Sequence, residues 1–141
     1  MDSRVIQVRT GSEETVHDLT AECEKFLADA QADLGSADGL LHVWVPHATA
    51  GVVILETGAG SDTDLLATLR DLTGEGQHQW RHRHGSPGHG RDHVLPALCP
   101  PYATIPVIDG AMALGTWQAV CLVDLNRDNA ARRVRLSFLG G

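Results

Sequence analysis

No apolar run in this chain approaches the roughly 20 residues that a membrane-spanning helix requires. Its opening residues, MDSRVIQVRT, have neither the apolar stretch nor the cleavage site of a secretory signal. Both absences point to a cytoplasmic protein. Cysteine is scarce: Cys23, Cys99 and Cys121 are widely spaced and form no CxxC pair. Neither a disulfide framework nor a thiolate zinc site is expected, and the three read as small buried hydrophobes. Positive charge is in deficit, with 11 Lys+Arg against 18 Asp+Glu and a net charge of −7. That balance argues against a nucleic-acid binder, because neutralising phosphates demands a basic face. There is no GxSxG nucleophile elbow, no P-loop, no dinucleotide fingerprint and no HExxH.

What is there is an ordinary globular composition, 43% hydrophobic and 21% charged over 141 residues. A single domain spanning 1–141 is long enough to bury a proper core. Residues 4–10 alternate like a strand. Thr15-x-x-Asp18 reads as the cap of a helix running to Leu34, with Val16, Leu19, Cys23, Phe26, Leu27, Ala30 and Leu34 on one face and Gly35 as its stop. Leu40–His47 and Gly51–Glu56 read as strands that end on an imidazole and a carboxylate. Ser61-x-x-Asp64 opens a second helix with Leu65, Leu66, Leu69 and Leu72 as its stripe, ended by Gly74 and Gly76.

Downstream, residues 104–114 read as a hairpin turning at Asp109-Gly110. Trp117–Leu125 and Arg132–Leu139 complete the strands, with Gln118, Val120, Leu122 and Asp124 sharing one face of the former. Two helices among about seven strands, several joined by hairpins, predict an α+β domain with a mainly antiparallel sheet.

One stretch stands apart, Trp80–His93, WRHRHGSPGHGRDH. It carries four imidazoles (His82, His84, His89, His93) and three guanidiniums (Arg81, Arg83, Arg91), and its glycines and proline argue against a regular helix or strand. From 77 to 93 three arginines face a single carboxylate, Asp92, although acid crowds residues 13–38. A local positive pocket on an acidic protein suits a small anion. The same stretch also reads as a solvated loop in an Arg-rich protein. If it is a site, three histidines with an open water position make a catalytic zinc centre, and His47 at a strand rim plus two loop histidines meets that count. His82/His84 are i, i+2 and His89/His93 are i, i+4; neither matches HExxH, and such pairs arise by chance in a chain with eight histidines. Acid–base work by His47, His82 or His93 with Glu56 or Asp124 is the alternative.

The segment DGAMALGTWQAV, with GTWQ at 115–118, resembles the signature of the YjbQ-like family, known as secondary thiamine-phosphate synthases. HATAG at 47–51 is similar to that family's strand end, and Glu56 falls where its glutamate stands. His82 and His93 sit at two of its histidine positions, and Asp124 at its acidic one. His84 and His89 lie outside the pattern. Tyr102, Thr57, Ala111 and Ala59-Gly60 depart from it.

The resemblance implies a compact α+β homotrimer in which His47, His82 and His93 gather in a pocket that holds a divalent metal such as zinc. The implied reaction joins hydroxymethylpyrimidine diphosphate to a thiazole phosphate and releases pyrophosphate. His47, Glu56, His82, His93 and Asp124 would carry catalysis; Arg81, Arg83, Arg91 and Gln118 would bind the phosphorylated substrate. Two other readings use the same residues: a metal-dependent phosphoester hydrolase and a non-catalytic metal- or ligand-binding trimer.

Overall fold

The computed structural model describes residues 1–74 and 80–141. Among the described residues, eight strands form two antiparallel sheets. In chain order they are β1 (Asp2–Arg9), β2 (Thr15–Asp18), β3 (Gly39–Trp44), β4 (Ala50–Leu55), β5 (Tyr102–Ile108), β6 (Ala111–Met112), β7 (Ala119–Asp124) and β8 (Ala131–Gly140). The larger sheet has the order β1-β8-β3-β5-β6, the smaller β2-β7-β4. Two long helices, α1 (Thr20–Leu34) and α2 (Ser61–Thr73), and two single turns, α3 (His89–Asp92) and α4 (Leu95–Leu98), complete the domain. No described helix is long and apolar enough to cross a membrane.

The main core is built from the inward rows of both sheets and one stripe of α1. Leu41 and Val43, Ile105 and Val107, and Val134, Leu136 and Phe138 come from the larger sheet. They pack with Val52, Val120 and Leu122 of the smaller one and with Leu19, Cys23, Phe26, Leu27 and Ala30. A second cluster lies on the other face of the smaller sheet, where Val123 and Leu125 meet Leu69 of α2 and Leu95 and Cys99 around α4. Strand β7 is therefore covered on both faces, and all six of its residues are buried. All three cysteines are free and buried, and burial pushes the thiols of Cys23 and Cys121 up to about 12.

The expected hairpin forms where Asp109 (φ 51°) and Gly110 (φ 83°) both take the left-handed conformation that a tight primed turn needs. Gly35 and Gly74 cap α1 and α2 as anticipated; Gly76 lies outside the described residues. Residues 15–18 differ from the helix cap read from sequence. Thr15–Asp18 pairs with Asp124–Cys121 as strand β2, and α1 begins only at Thr20, whose amide donates to Asp18 Oδ1 at 2.8 Å. The apolar period of α1 is real, but the β-branched Thr15 and Val16 are claimed by an open edge of β7, an override that local spacing does not reveal. Residues 89–92 also depart from expectation, forming one helical turn inside the glycine-rich stretch.

Candidate functional site

The glycine-rich stretch folds back on itself so that its four imidazoles meet. Gly85 (φ 82°) and Gly88 (φ 89°) occupy left-handed backbone, and His89 N donates to Ser86 O at 3.0 Å to start the α3 turn. Two glycines are there for close approach. A Cβ on Gly85 would stand 2.6 Å from the His89 ring, and one on Gly90 would stand 2.7 Å from Trp80 Cβ and 2.8 Å from the His82 carbonyl oxygen. The backbone is thinned at the two places where rings or chain segments must touch.

His82 lies 4.0 Å from His84 and 4.1 Å from His93 between ring centroids, and His89 lies 4.8 Å from His93. His93 Nε2 and His89 Nε2 are 2.9 Å apart. One ligand-grade nitrogen from each of the four rings falls within 4.8 Å of the others. The Nε2 of His82 is buried and has no hydrogen-bond partner among the described residues. Burial holds His82 and His93 below the ordinary imidazole range, helped by the neighbouring imidazoles, so both rings favour the neutral form that offers a lone pair.

Behind the cluster runs a chain of polar contacts, buried except at its Asp128 end. His89 Nδ1 is 2.8 Å from Asp128 Oδ2 and 2.9 Å from Asn126 Nδ2. Asn126 Nδ2 also donates to Asp92 Oδ2 at 3.0 Å. Arg91, next along α3, is buried and donates to Glu14 Oε1 at 2.6 Å and to Asp92 Oδ1 at 3.4 Å. Burial pushes the Glu14 carboxyl up, but hydrogen bonds from Arg91 and Arg70 outweigh it and hold Glu14 below its usual range. Burial raises Asp92 despite Asn126 and Arg91. Residues far apart in sequence, Glu14, Arg70, Arg91 and Asn126, thus brace the loop from below.

His47 follows β3 and, with three rings of the cluster, lines a depression of about 470 Å³ whose walls include Thr49, His84, His89, His93, Asp128 and Arg132. It is not one of the four close-set rings. Its Nε2 accepts the Arg133 amide at 2.9 Å, and burial, together with the charges of Arg132 and Arg133, keeps it below the ordinary range. Asp124, fully buried, takes a two-point ion pair from Arg132, at 2.7 Å from Nε and 2.9 Å from Nη2. Arg132 also donates to Thr49 Oγ1 at 3.1 Å. Asp124 therefore anchors the floor through an arginine and touches none of the four rings.

Other residues expected at the site are placed elsewhere. The β4–β7 pairing sets Ala50 opposite Asp124 and Leu55 opposite Ala119. Glu56 and Gln118 therefore lie at the far end of the smaller sheet, roughly 15–20 Å along the strands from Asp124 at about 3.3 Å per residue. Gln118 there accepts the Gly115 amide at 2.7 Å. Arg91 is not available to a substrate, because its guanidinium is buried against Glu14 and Asp92. Arg81 and Arg83 are exposed on the loop. Conversely, His84 and His89, outside the family pattern, are full members of the cluster, and only the His89/His93 i, i+4 spacing hinted at it. Asn126 and Asp128 carried no signal at all, being ordinary turn residues by sequence.

The model of the family described as "UPF0047 protein YjbQ-like" matches residues 4–141. The chain belongs to the YjbQ-like family. Among its relatives, the UPF0047 protein Rv2556c of Mycobacterium tuberculosis is 51% identical over 141 residues, covering 100% of both chains. A UPF0047 protein of Archaeoglobus fulgidus is 27% identical over 128 residues, 90% of this chain and 94% of its own length. The crystal structure of the hypothetical protein APE1520 from Aeropyrum pernix K1 superposes with a TM-score of 0.83 at 30% identity, covering 100% of both chains. A YbjQ-like protein of unknown function from Sulfolobus solfataricus P2 has a TM-score of 0.88 at 24% identity over 99% of this chain and 97% of its own. That likeness establishes the α+β fold of this YjbQ-like chain.

Proposed function

We propose that this YjbQ-like protein binds a divalent metal ion through the imidazoles of the glycine-rich loop and uses it on a small phosphorylated metabolite in the adjoining depression. The carrying observation is the convergence of four imidazole nitrogens within 4.8 Å. The donor set suits zinc, which favours neutral histidine nitrogen at about 2.0–2.1 Å and hence nitrogen pairs roughly 3.3 Å apart; the widest pair would close by about 1.5 Å. The buried, partnerless Nε2 of His82 supports the fit, since such an atom is costly unless something takes its lone pair.

His82, His84, His89 and His93 would hold the ion, with His84 the most exposed ring. A divalent ion supplies charge neutralisation at a diphosphate leaving group. Arg81 and Arg83, exposed on the same loop, would hold the rest of the anion. His47, kept neutral with Nε2 engaged by the Arg133 amide, would present its other ring nitrogen, an N–H donor in that tautomer. Joining hydroxymethylpyrimidine diphosphate to a thiazole phosphate, with release of pyrophosphate, is the reaction we assign as the first candidate, on the strength of the HATAG and GTWQ resemblance.

Elemental mass spectrometry of tag-free protein tests the metal reading: about one ion per chain in wild type and none in His93→Ala is expected. No metal in either after incubation with zinc sinks it. Pyrophosphate release from the two named substrates tests the reaction, which fails if wild type gives no more than the His82→Ala/His93→Ala double variant. One observation favours a second reading, a non-catalytic metal-binding protein: four imidazoles leave no open position for water or substrate if all four bind at once. Tight stoichiometric zinc without turnover on a phosphoester panel would select it.

We also propose that the chain self-associates, as the homotrimer of the resemblance implies. Val5, Leu40, Trp44, Tyr102, Ile108 and Leu139, all exposed, share the outer face of the larger sheet, an apolar area of the kind that interfaces cover. Sedimentation equilibrium at three times the 15.1 kDa chain mass supports the trimer, and a monomer refutes it.

A further inference from the structure

Among the four clustered rings, His89 is gripped from behind by two groups of opposite character. The side-chain oxygen of Asn126 accepts the Asp128 amide at 3.2 Å and the Asn129 side-chain amide at 3.1 Å. That fixes Asn126 Nδ2 as a donor, 2.9 Å from His89 Nδ1. On the same nitrogen, 2.8 Å away, stands the acceptor Asp128 Oδ2. A neutral imidazole has one proton to place. With the proton on Nε2, Nδ1 accepts from Asn126 and Nε2–H donates to His93 Nε2, 2.9 Å away. With the proton on Nδ1, the ring donates to the Asp128 carboxylate and turns the Nε2 lone pair toward His82, His84 and His93.

We infer that Asp128 is a positioning residue for the metal proposed above: by accepting the Nδ1 proton of His89 it keeps the Nε2 lone pair aimed into the cluster. A hydrogen bond to a carboxylate is roughly twice as strong as one between neutral groups, so Asp128 outcompetes Asn126 once the Nε2 lone pair is taken by an ion. The same carboxylate accepts the Ser86 amide at 3.3 Å, tying the ring's orientation to the bend of the glycine loop. Asp128 is 31% exposed on the β7–β8 turn and contributes nothing to either apolar cluster. Its pairing with His89 therefore calls for a reason other than packing.

The inference rests on the metal reading, and the experiment separates the two. Zinc affinity would be measured by chelator competition on the full chain as wild type, Asp128→Ala, Asp128→Asn, His89→Ala and the Asp128→Ala/His89→Ala double variant. Asp128→Ala is expected to weaken zinc about 10–100-fold. Asp128→Asn, which keeps an acceptor without the charge, should recover part of that loss. The double variant should bind no more weakly than His89→Ala alone, which a merely structural role for Asp128 would not produce. In zinc-loaded wild type, imidazole ¹⁵N spectra should show the His89 proton on Nδ1, a readout that needs no variant to fold. Wild-type affinity in Asp128→Ala, an equal loss in the His89→Ala background, or a proton-free Nδ1 overturns the assignment. A wild type that binds no zinc overturns the metal reading beneath it.

Discussion

The two ends of the smaller sheet differ in what they are built from and do opposite things: β2, β7 and β4 meet at the Asp124 end, whereas only β4 and β7 reach the Gln118 end. At the Asp124 end, charge is buried and fully engaged: Asp124 with Arg132, Glu14 with Arg70 and Arg91, Asn126 with Asp92 and His89. At the Gln118 end Glu56 is only half-buried, Trp117 is 73% accessible, and the exposed Gln118 accepts a neighbouring amide. Burying ionised groups costs stability unless each is paired, so a protein that spends so many pairs at one end is holding something in place there. What they hold is the glycine loop with its four imidazoles.

That contrast can be broken most directly at Arg132. Replacing it with Met leaves the fully buried Asp124 without its partner, and unfolding by urea should show a loss of about 3–5 kcal/mol. A smaller effect is expected from Gly90→Ala, whose methyl must displace Trp80 or the His82 carbonyl. Overpacking of this kind costs about 1–3 kcal/mol, and zinc affinity should fall with it because His82 is carried away from the other rings. Unchanged zinc binding would show that the loop backbone does not set the cluster.

Acid sharpens the same comparison. His47, His82 and His93 sit below the ordinary imidazole range in the folded chain, which is about 6.5 when unfolded. Between the folded and unfolded values the unfolded chain binds more protons, so metal-free stability should be fully present above about pH 6.5 and decline as pH falls through the depressed values. Glu14 adds a second decline below about pH 4.3, because its folded value is also lowered. Denaturant midpoints measured from pH 8 down to about 2 check both steps; a flat profile from 7 to 5 would contradict the imidazole part. The smallest effect belongs to the other end. Glu56→Gln should alter stability by no more than about 0.5 kcal/mol and leave zinc occupancy as in wild type, and a lost metal would mean that the two ends communicate.

Much of this architecture is legible from residue order. The alternation in 132–139, the Asp109-Gly110 turn and the apolar period of α1 from Cys23 to Ala30 each state a local rule, and each is obeyed, although Val16 belongs to β2 and Leu34 is exposed. Reading 15–18 as a helix cap fails because its outcome is settled by pairing with β7, a partner more than a hundred residues away. The site divides in the same way. His82 and His93 stand out by motif, whereas His84 and His89 join them only because Gly85 and Gly88 turn the chain back. Arg91, which looks in sequence like a cation waiting for an anion, is already committed to Glu14.

By itself the sequence determined most of the elements, the family and the presence of a histidine-rich loop, because periodicity, turn chemistry and motif spacing are local properties of the chain; the strand at 15–18 and the helical turn at 89–92 were not among them. Which imidazoles meet, which carboxylate backs His89, and that Glu56 and Gln118 stand at the opposite end from Asp124 were decided only by the tertiary structure. Strand order and the direction of each strand are set by burying one shared core, and no stretch of sequence carries that information alone.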